Sequence, residues 1–453
     1  MNSRFGLLTS GNATLIIVKN GDRRPEDDFV ALSKNVFLDR LAPETISVQR
    51  SDGTIEHVSK AKIWLNHRLR DDYHRLEFDP AQPPGQNGKT WNTWTGFGVE
   101  DRPGDWSLLK AHIHDNICRG NQQHNGWLLN WMAFCVQNRG SVIGTAPVMI
   151  GMPGTGKGVL AHAFGRLWGS HYLAVTHPEH VVGRFSGHLM GRRFVFIDEG
   201  TFGGDRKSAG QLKTRITEPM LVFERKGIDP IRMANRMIFM VASNEALAIP
   251  ADKNDRRWMM FEVGNDRRED HAYFRAIQEQ LDAGGYEAML HELLRRDIAV
   301  GPDPRRVIKT TALFEQMLQA QPSDIGYIHL ILENGRLPQN WVDGSSVTTI
   351  RAMYEELRRR FPEARYINEI RLGRLLRKVF PDIEKEPNGR FFVHRAASGF
   401  IYERSTRYIF PDLTEARRLF QNFVGIPVDW DLNVDEWQDD PEPETPGGGD
   451  IPF

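Results

Sequence analysis

Cysteine is nearly absent: among 453 residues only Cys118 and Cys135 occur. That excludes a disulfide framework and predicts two reduced thiols. No apolar run approaches the ~20 residues of a membrane-spanning helix, and the start, Met1-Asn2-Ser3-Arg4-Phe5-Gly6, has no signal-peptide core. The expectation is a cytoplasmic protein with no membrane partner. Net charge is lacking too, with 58 Lys and Arg against 59 Asp and Glu, but the balance hides an asymmetry. No base follows Arg418, whereas Asp429, Asp431, Asp435, Glu436, Asp439, Asp440, Glu442, Glu444 and Asp450 crowd the end. Without those acids 58 bases face 50 acids, a mildly basic body that suits a nucleic-acid partner.

Two further absences narrow the chemistry. Residues 1–60 alternate apolar and polar patches, as in Ala13-Thr14-Leu15-Ile16-Ile17-Val18, and hold no Asp-x-Asp metal pair or other catalytic constellation. His112, His114, Cys118 and His124 lack the paired spacing of zinc ligands. What the chain does have is 40% hydrophobic residues, enough for a substantial core and roughly two to four domains.

The most informative segment is Gly151-Met152-Pro153-Gly154-Thr155-Gly156-Lys157-Gly158-Val159, set between the apolar run Val148-Met149-Ile150 and a helix-competent stretch to Leu167. Glycines there let backbone N–H groups close around phosphate oxygens, a helix N-terminus adds its positive end, and Lys157 supplies a cation for the β/γ-phosphates. The pattern predicts a P-loop that binds ATP with Mg²⁺. Gly158 stands where the usual pattern has a Ser or Thr hydroxyl for the metal. Metal binding is therefore expected from Asp198, at the end of the strand Phe194-Val195-Phe196-Ile197, with Glu199 polarising the attacking water. A third strand, Met237 to Ala242, ends in Ser243-Asn244, whose amide is placed to sense the γ-phosphate. Arg257, and after it Arg256, precede a closing strand, Trp258 to Val263, and read as arginines donated across a subunit boundary.

Strand, P-loop, helix, strand with Asp-Glu, strand with Asn and then an arginine pair is the layout of an AAA+ ATPase. With Trp64-Leu65-Asn66-His67 to Phe78-Asp79-Pro80, Trp91 to Phe97, Leu128-Leu129-Asn130-Trp131, Arg184-Phe185-Ser186 and Phe223 to Pro230, the chain resembles the superfamily 3 helicases, specifically the phage and plasmid primase-helicase branch. That resemblance implies tolerance of glycine after Lys157, a homo-oligomeric ring, usually a hexamer, and 3′ to 5′ movement on single-stranded DNA at replication forks. It also implies a bacterial host cell, with priming supplied by a separate primase or the host. Between the Asp-Glu and Asn strands, Lys213 to Asp229 reads as a β-hairpin with a basic tip, so Lys213, Arg225 and Lys226 are the DNA-contact candidates.

The fold class expected is α/β: an AAA+ P-loop core at 141–298, a small region at 1–60, a largely helical collar-like region at 61–140 and a winged-helix-like domain at 299–425. In the last, Val347–Arg360 and Tyr366–Phe380 read as amphipathic helices. The second carries Ile367, Ile370, Leu375, Leu376 and Val379 on one side and Arg371, Arg374 and Lys378 on another, a DNA-reading candidate; strands near 390–394 and 400–403 follow. Residues 426–453 read as a disordered acidic tail ending Asp450-Ile451-Pro452-Phe453. It is similar to the tail of bacterial single-stranded-DNA-binding proteins, which implies host replication or repair proteins as partners. Two other readings stay open: a catalytically weak DNA-binding initiator or tether, and an AAA+ loader.

Overall fold

A computed structural model describes residues 1–10, 13–19, 31–200, 206–225, 228–245, 255–310, 312–313, 323–362, 364, 366–396, 399–425, 428, 430 and 434–441. The hairpin tip Lys226-Gly227 and the terminal Asp450 to Phe453 lie outside them. The chain divides into two compact units, Met1–Ala248 with Arg256–Val307, and Ile249–Asp255 with Ile308–Phe453. Among the described residues no helix is long and apolar enough to cross a membrane.

The first unit opens with β1 (Phe5–Ser10), β2 (Ala13–Val18), β3 (Ala31–Ser33), α1 (Lys34–Arg40), the exposed hairpin β4 (Thr45–Gln49) and β5 (Ile55–Ser59), and α2 (Lys60–Asn66). Alternation along β1 and β2 turns Phe5, Leu7, Ile16 and Val18 onto Phe37, Leu41 and Trp64, which builds a small core of its own. Four short strands follow, β6 (Asp72–Tyr73), β7 (Arg75–Glu77), β8 (Gly85–Asn87) and β9 (Thr90–Asn92). These correct the expectation that 61–140 is largely helical. Asn87-Gly88 is a tight-turn pair, Gly88 takes φ +57°, and β8 folds back on β9. Helices α3 (Ser107–Ala111) and α4 (Gln122–Gln137) flank a π-helical turn, His112–Ile117.

The main sheet comes next: β10 (Ala146–Ile150), α5 (Lys157–Arg166), β11 (Tyr172–Val175), α6 (Glu179–Val182), β12 (Phe194–Ile197), α7 (Arg206–Thr217), the antiparallel hairpin β13 (Met220–Arg225) and β14 (Ile228–Ala234), β15 (Ile238–Ser243) and β16 (Trp258–Glu262). Five strands pair in the order β11-β12-β15-β10-β16, all parallel. Their apolar runs are buried on both faces, as a sheet covered by helices requires. Arg193, fully buried, donates to the carbonyls of Cys135, Asn138, Ser141 and Arg236, and so terminates α4 where its dipole favours a cation. Helices α8 (His271–Gln280) and α9 (Tyr286–Arg295) close the unit. Between them Gly284, at φ +108°, breaks the helical path.

The second unit runs α10 (Ser323–Asn334), β17 (Val347–Thr349), α11 (Ile350–Arg360), α12 (Glu369–Val379), β18 (Glu384–Ala396), β19 (Gly399–Ile409) and α13 (Leu413–Val424), with the sheet ordered β17-β19-β18. Val347–Thr349, expected as helix, is a strand on β19, because Thr349 caps α11 instead of joining it. Ile370, expected on the buried side of α12, is 66% exposed, and Leu372 takes the inward place. Part of the expected disordered tail is packed. Trp437 lies 5.7 Å from the Phe410 ring and donates to the Pro411 carbonyl at 2.8 Å, and Gln438 donates to that of Gly335 at 2.7 Å. One large apolar ring outweighs the acids around it.

Candidate active site

The glycine-rich loop joins the carboxyl end of β10 to α5. The strands β15 and β16, successive in the chain, flank β10 on opposite sides, a reversal of strand order beside which α/β sheets commonly bind ligands. Gly154 and Gly156 take φ of +77° and +86°, conformations that side chains resist. A Cβ on Gly156 would come within 2.6 Å of Phe274 and His112, and one on Gly151 within 3.1 Å of Val263. Lys157 opens α5 and is buried. Its Nζ donates to the Gly151 and Met152 carbonyls, at 2.7 and 2.8 Å, and to Asn244 Oδ1 at 2.9 Å. Burial holds this ammonium below the usual lysine range, and Asp198 nearby opposes the shift. Lysine and asparagine, 87 positions apart, thus meet at the loop.

The acidic pair stands at the tip of β12. Glu199 takes φ +54°, its N–H donates to Asp198 Oδ1 at 3.1 Å, and Gly200 donates to the Ala242 carbonyl at 2.9 Å. That kink lifts Glu199 out to solvent while Asp198 stays half-buried on the side of Lys157. Arg256 and Arg257 are elsewhere. The Arg257 carbonyl accepts from Ala146 N–H at 2.7 Å, at the start of β10. The pair therefore sits about 16 Å from the loop along the strand direction. Lys213 is half-buried on α7, and Arg225 ends β13.

Sequence reasoning missed what braces the loop. Three successive loop carbonyls are engaged from outside: that of Gly154 by Glu269 N–H at 3.0 Å, that of Thr155 by Asn116 Nδ2 at 2.7 Å, and that of Gly156 by His112 Nε2 at 3.3 Å. Burial lowers His112 to about 4, so its ring is neutral. A carbonyl only accepts, so Nε2 carries the proton and Nδ1 accepts from the Tyr273 hydroxyl at 3.3 Å. The π-helical turn sets His112 and Asn116 under one loop, a use of that irregular geometry no residue pattern announces. Holding these carbonyls turns the N–H groups of Thr155, Gly156 and Lys157 the other way, since C=O and N–H point oppositely across each trans peptide plane. Also unforeseen is the anchoring of the hairpin. Ser186 N–H donates to the Glu224 carbonyl at 3.0 Å and Arg184 pairs with the Glu224 carboxylate at 2.9 Å, which leaves Phe185 55% exposed beside β13.

A family model described as a family of unknown function (DUF5906) matches residues 149–257, a span that takes in the loop, Asp198-Glu199, Asn244 and both arginines. The chain is 28% identical over 148 residues, 32% of its length, to the DNA primase-polymerase of Nitratiruptor phage NrS-1. That match spans about a fifth of the relative's length, 20%. The apo structure of the NrS-1 C-terminal region superposes with a TM-score of 0.56 at 15% identity, covering 90% of this chain and 96% of that one. Its A form gives 0.52 at 16%, covering 81% and 94%. At these identities the likeness is one of fold: the chain shares its mixed α/β architecture, built on a parallel sheet, with the C-terminal region of that phage protein.

Proposed function

We propose that the chain is a phage DNA-replication protein, an ATP-dependent helicase of the superfamily 3 type with an AAA+ core that works as a ring on single-stranded DNA. The observation that carries the reading is the meeting of Lys157, Asn244 and Asp198 at a glycine loop whose carbonyls are tied outward. Similarity to part of a phage primase-polymerase supports the replication setting. The residues fit ATP: positive-φ glycines, a helix N-terminus and a buried ammonium form a cradle for polyphosphate. Mg²⁺ fits as well, because it commonly takes one protein carboxylate with substrate phosphates and water, and Asp198 supplies that carboxylate. The metal, when bound, neutralises charge on the phosphate oxygens. Lys157 exchanges its loop carbonyls for β/γ-oxygens, Asn244 orients the attacking water, and Glu199 accepts its proton. Arg257 acts from a neighbouring copy, and Lys213, Arg225 and Lys226 hold the DNA backbone. The tail Asp450 to Phe453 recruits host proteins.

Hydrolysis and forked-duplex unwinding, with and without single-stranded DNA, test this on the native chain, Lys157→Ala and Lys226→Ala. Native protein should do both, Lys157→Ala neither, and Lys226→Ala should hydrolyse ATP without unwinding. A native chain that neither hydrolyses nor unwinds would favour the initiator or tether reading.

A further inference from the structure

Helix α12 buries Leu372, Gly373, Leu376 and Val379. Its Gly373 lies so close to β19 that a Cβ there would be 2.9 Å from the Tyr408 hydroxyl. The opposite stripe is open: Ile370 is 66% exposed, and Arg374, Arg377 and Lys378 flank it in solvent. The helix has one acid, Glu369, and Arg351 occupies it at 2.8 Å. Arg371 is likewise taken up by Asp324 at 3.0 Å. Among the described residues, no carboxylate pairs with Arg374, Arg377 or Lys378.

The β18–β19 hairpin adds an independent oddity. Its register sets Arg390 directly opposite Arg404, both exposed. Like charges facing each other across a ladder are destabilising, and among the described residues neither has an acidic partner. A polyanion laid over the pair converts that cost into attraction.

We propose that the open stripe of α12, together with Arg390 and Arg404, is a docking surface for double-stranded DNA. The proposal does not rest on the nucleotide reading. A single helix face fits the B-form major groove, about 12 Å wide, whereas the deep, narrow major groove of A-form RNA excludes side chains. Single strands are bound on stacking rings; Tyr366, 54% exposed, already has the Arg371 guanidinium over one face at 5.1 Å, so a base stacking there competes with that contact. Ile370, apolar amid cations, suits a thymine methyl group.

Fluorescence anisotropy on the full chain without nucleotide tests this, with a 25-base-pair DNA duplex, the matching RNA duplex and a single strand as probes. Arg374→Gln/Lys378→Gln and Arg390→Gln/Arg404→Gln change exposed side chains only, and a melting temperature no lower than native will certify each fold. Each pair should weaken duplex binding about tenfold and lower the slope of log K against log salt by about 2. Single-strand binding and basal hydrolysis should be unchanged. Duplex affinity equal to native in both variants overturns the proposal, as does a loss confined to the single strand or the RNA duplex.

Discussion

At Gly158 the loop departs from its usual pattern, and the backbone shows what a hydroxyl there would meet. A Cβ at this position touches only His162, at 3.6 Å, an ordinary contact, and no positive φ demands glycine. Serine fits. Gly158→Ser should hold its melting temperature, reach half-maximal hydrolysis at lower Mg²⁺ and raise turnover several-fold; a Mg²⁺ titration checks it, and an unchanged profile would show that Asp198 and water already complete the metal's shell. As candidates Lys157 and Asn244 are legible because each follows an apolar strand in its own local pattern, Lys157 after the glycine loop beyond β10 and Asn244 directly after β15. His112 and Asn116 were not. Their work depends on a chain crossing about 40 positions upstream of the loop, and in the sequence His112 stood out only as part of an unconvincing zinc cluster.

At the scale of elements, buried parallel strands announce themselves, since runs such as Phe194–Ile197 and Ile238–Ala242 admit no amphipathic alternative. Short strands do not: β6 to β9 are two or three residues each and owe their pairing to Asn87-Gly88 and to neighbours, not to periodicity. Periodicity does not give the buried face of α12 at every position: Ile370 is apolar yet stands in solvent. Close packing between α5 and β11 is set by Gly165, where a Cβ would come 2.6 Å from the Tyr172 ring. Gly165→Val should cost roughly 1–3 kcal/mol by overpacking, read as a lower urea midpoint. Nucleotide affinity should fall with it, as α5 carries Lys157. Unchanged stability would mean that Tyr172 swings aside.

For the whole molecule the separation between Lys157 and Arg257 decides the most. One end of the parallel sheet carries the loop and the other the arginines, so a single copy does not bring them together, and the ring reading requires a neighbour. Lys157→Ala and Arg257→Ala subunits should each be nearly inactive alone. Mixed, they should recover part of the hydrolysis, because some interfaces then pair an intact lysine with an intact arginine. No recovery on mixing, with subunit exchange verified, would refute donation in trans. The packed Trp437 segment shows why the chain's end was harder to read: nine acids dominated its composition, and one aromatic ring determined where it lies.

The outward ties on the carbonyls of Gly154, Thr155 and Gly156 carry a kinetic consequence. Their conformational entropy is lost at folding and not when ligand arrives. Nucleotide should then meet a loop already in its binding shape, so association should be limited by encounter, with a rate linear in ligand concentration and no slow rearrangement after it.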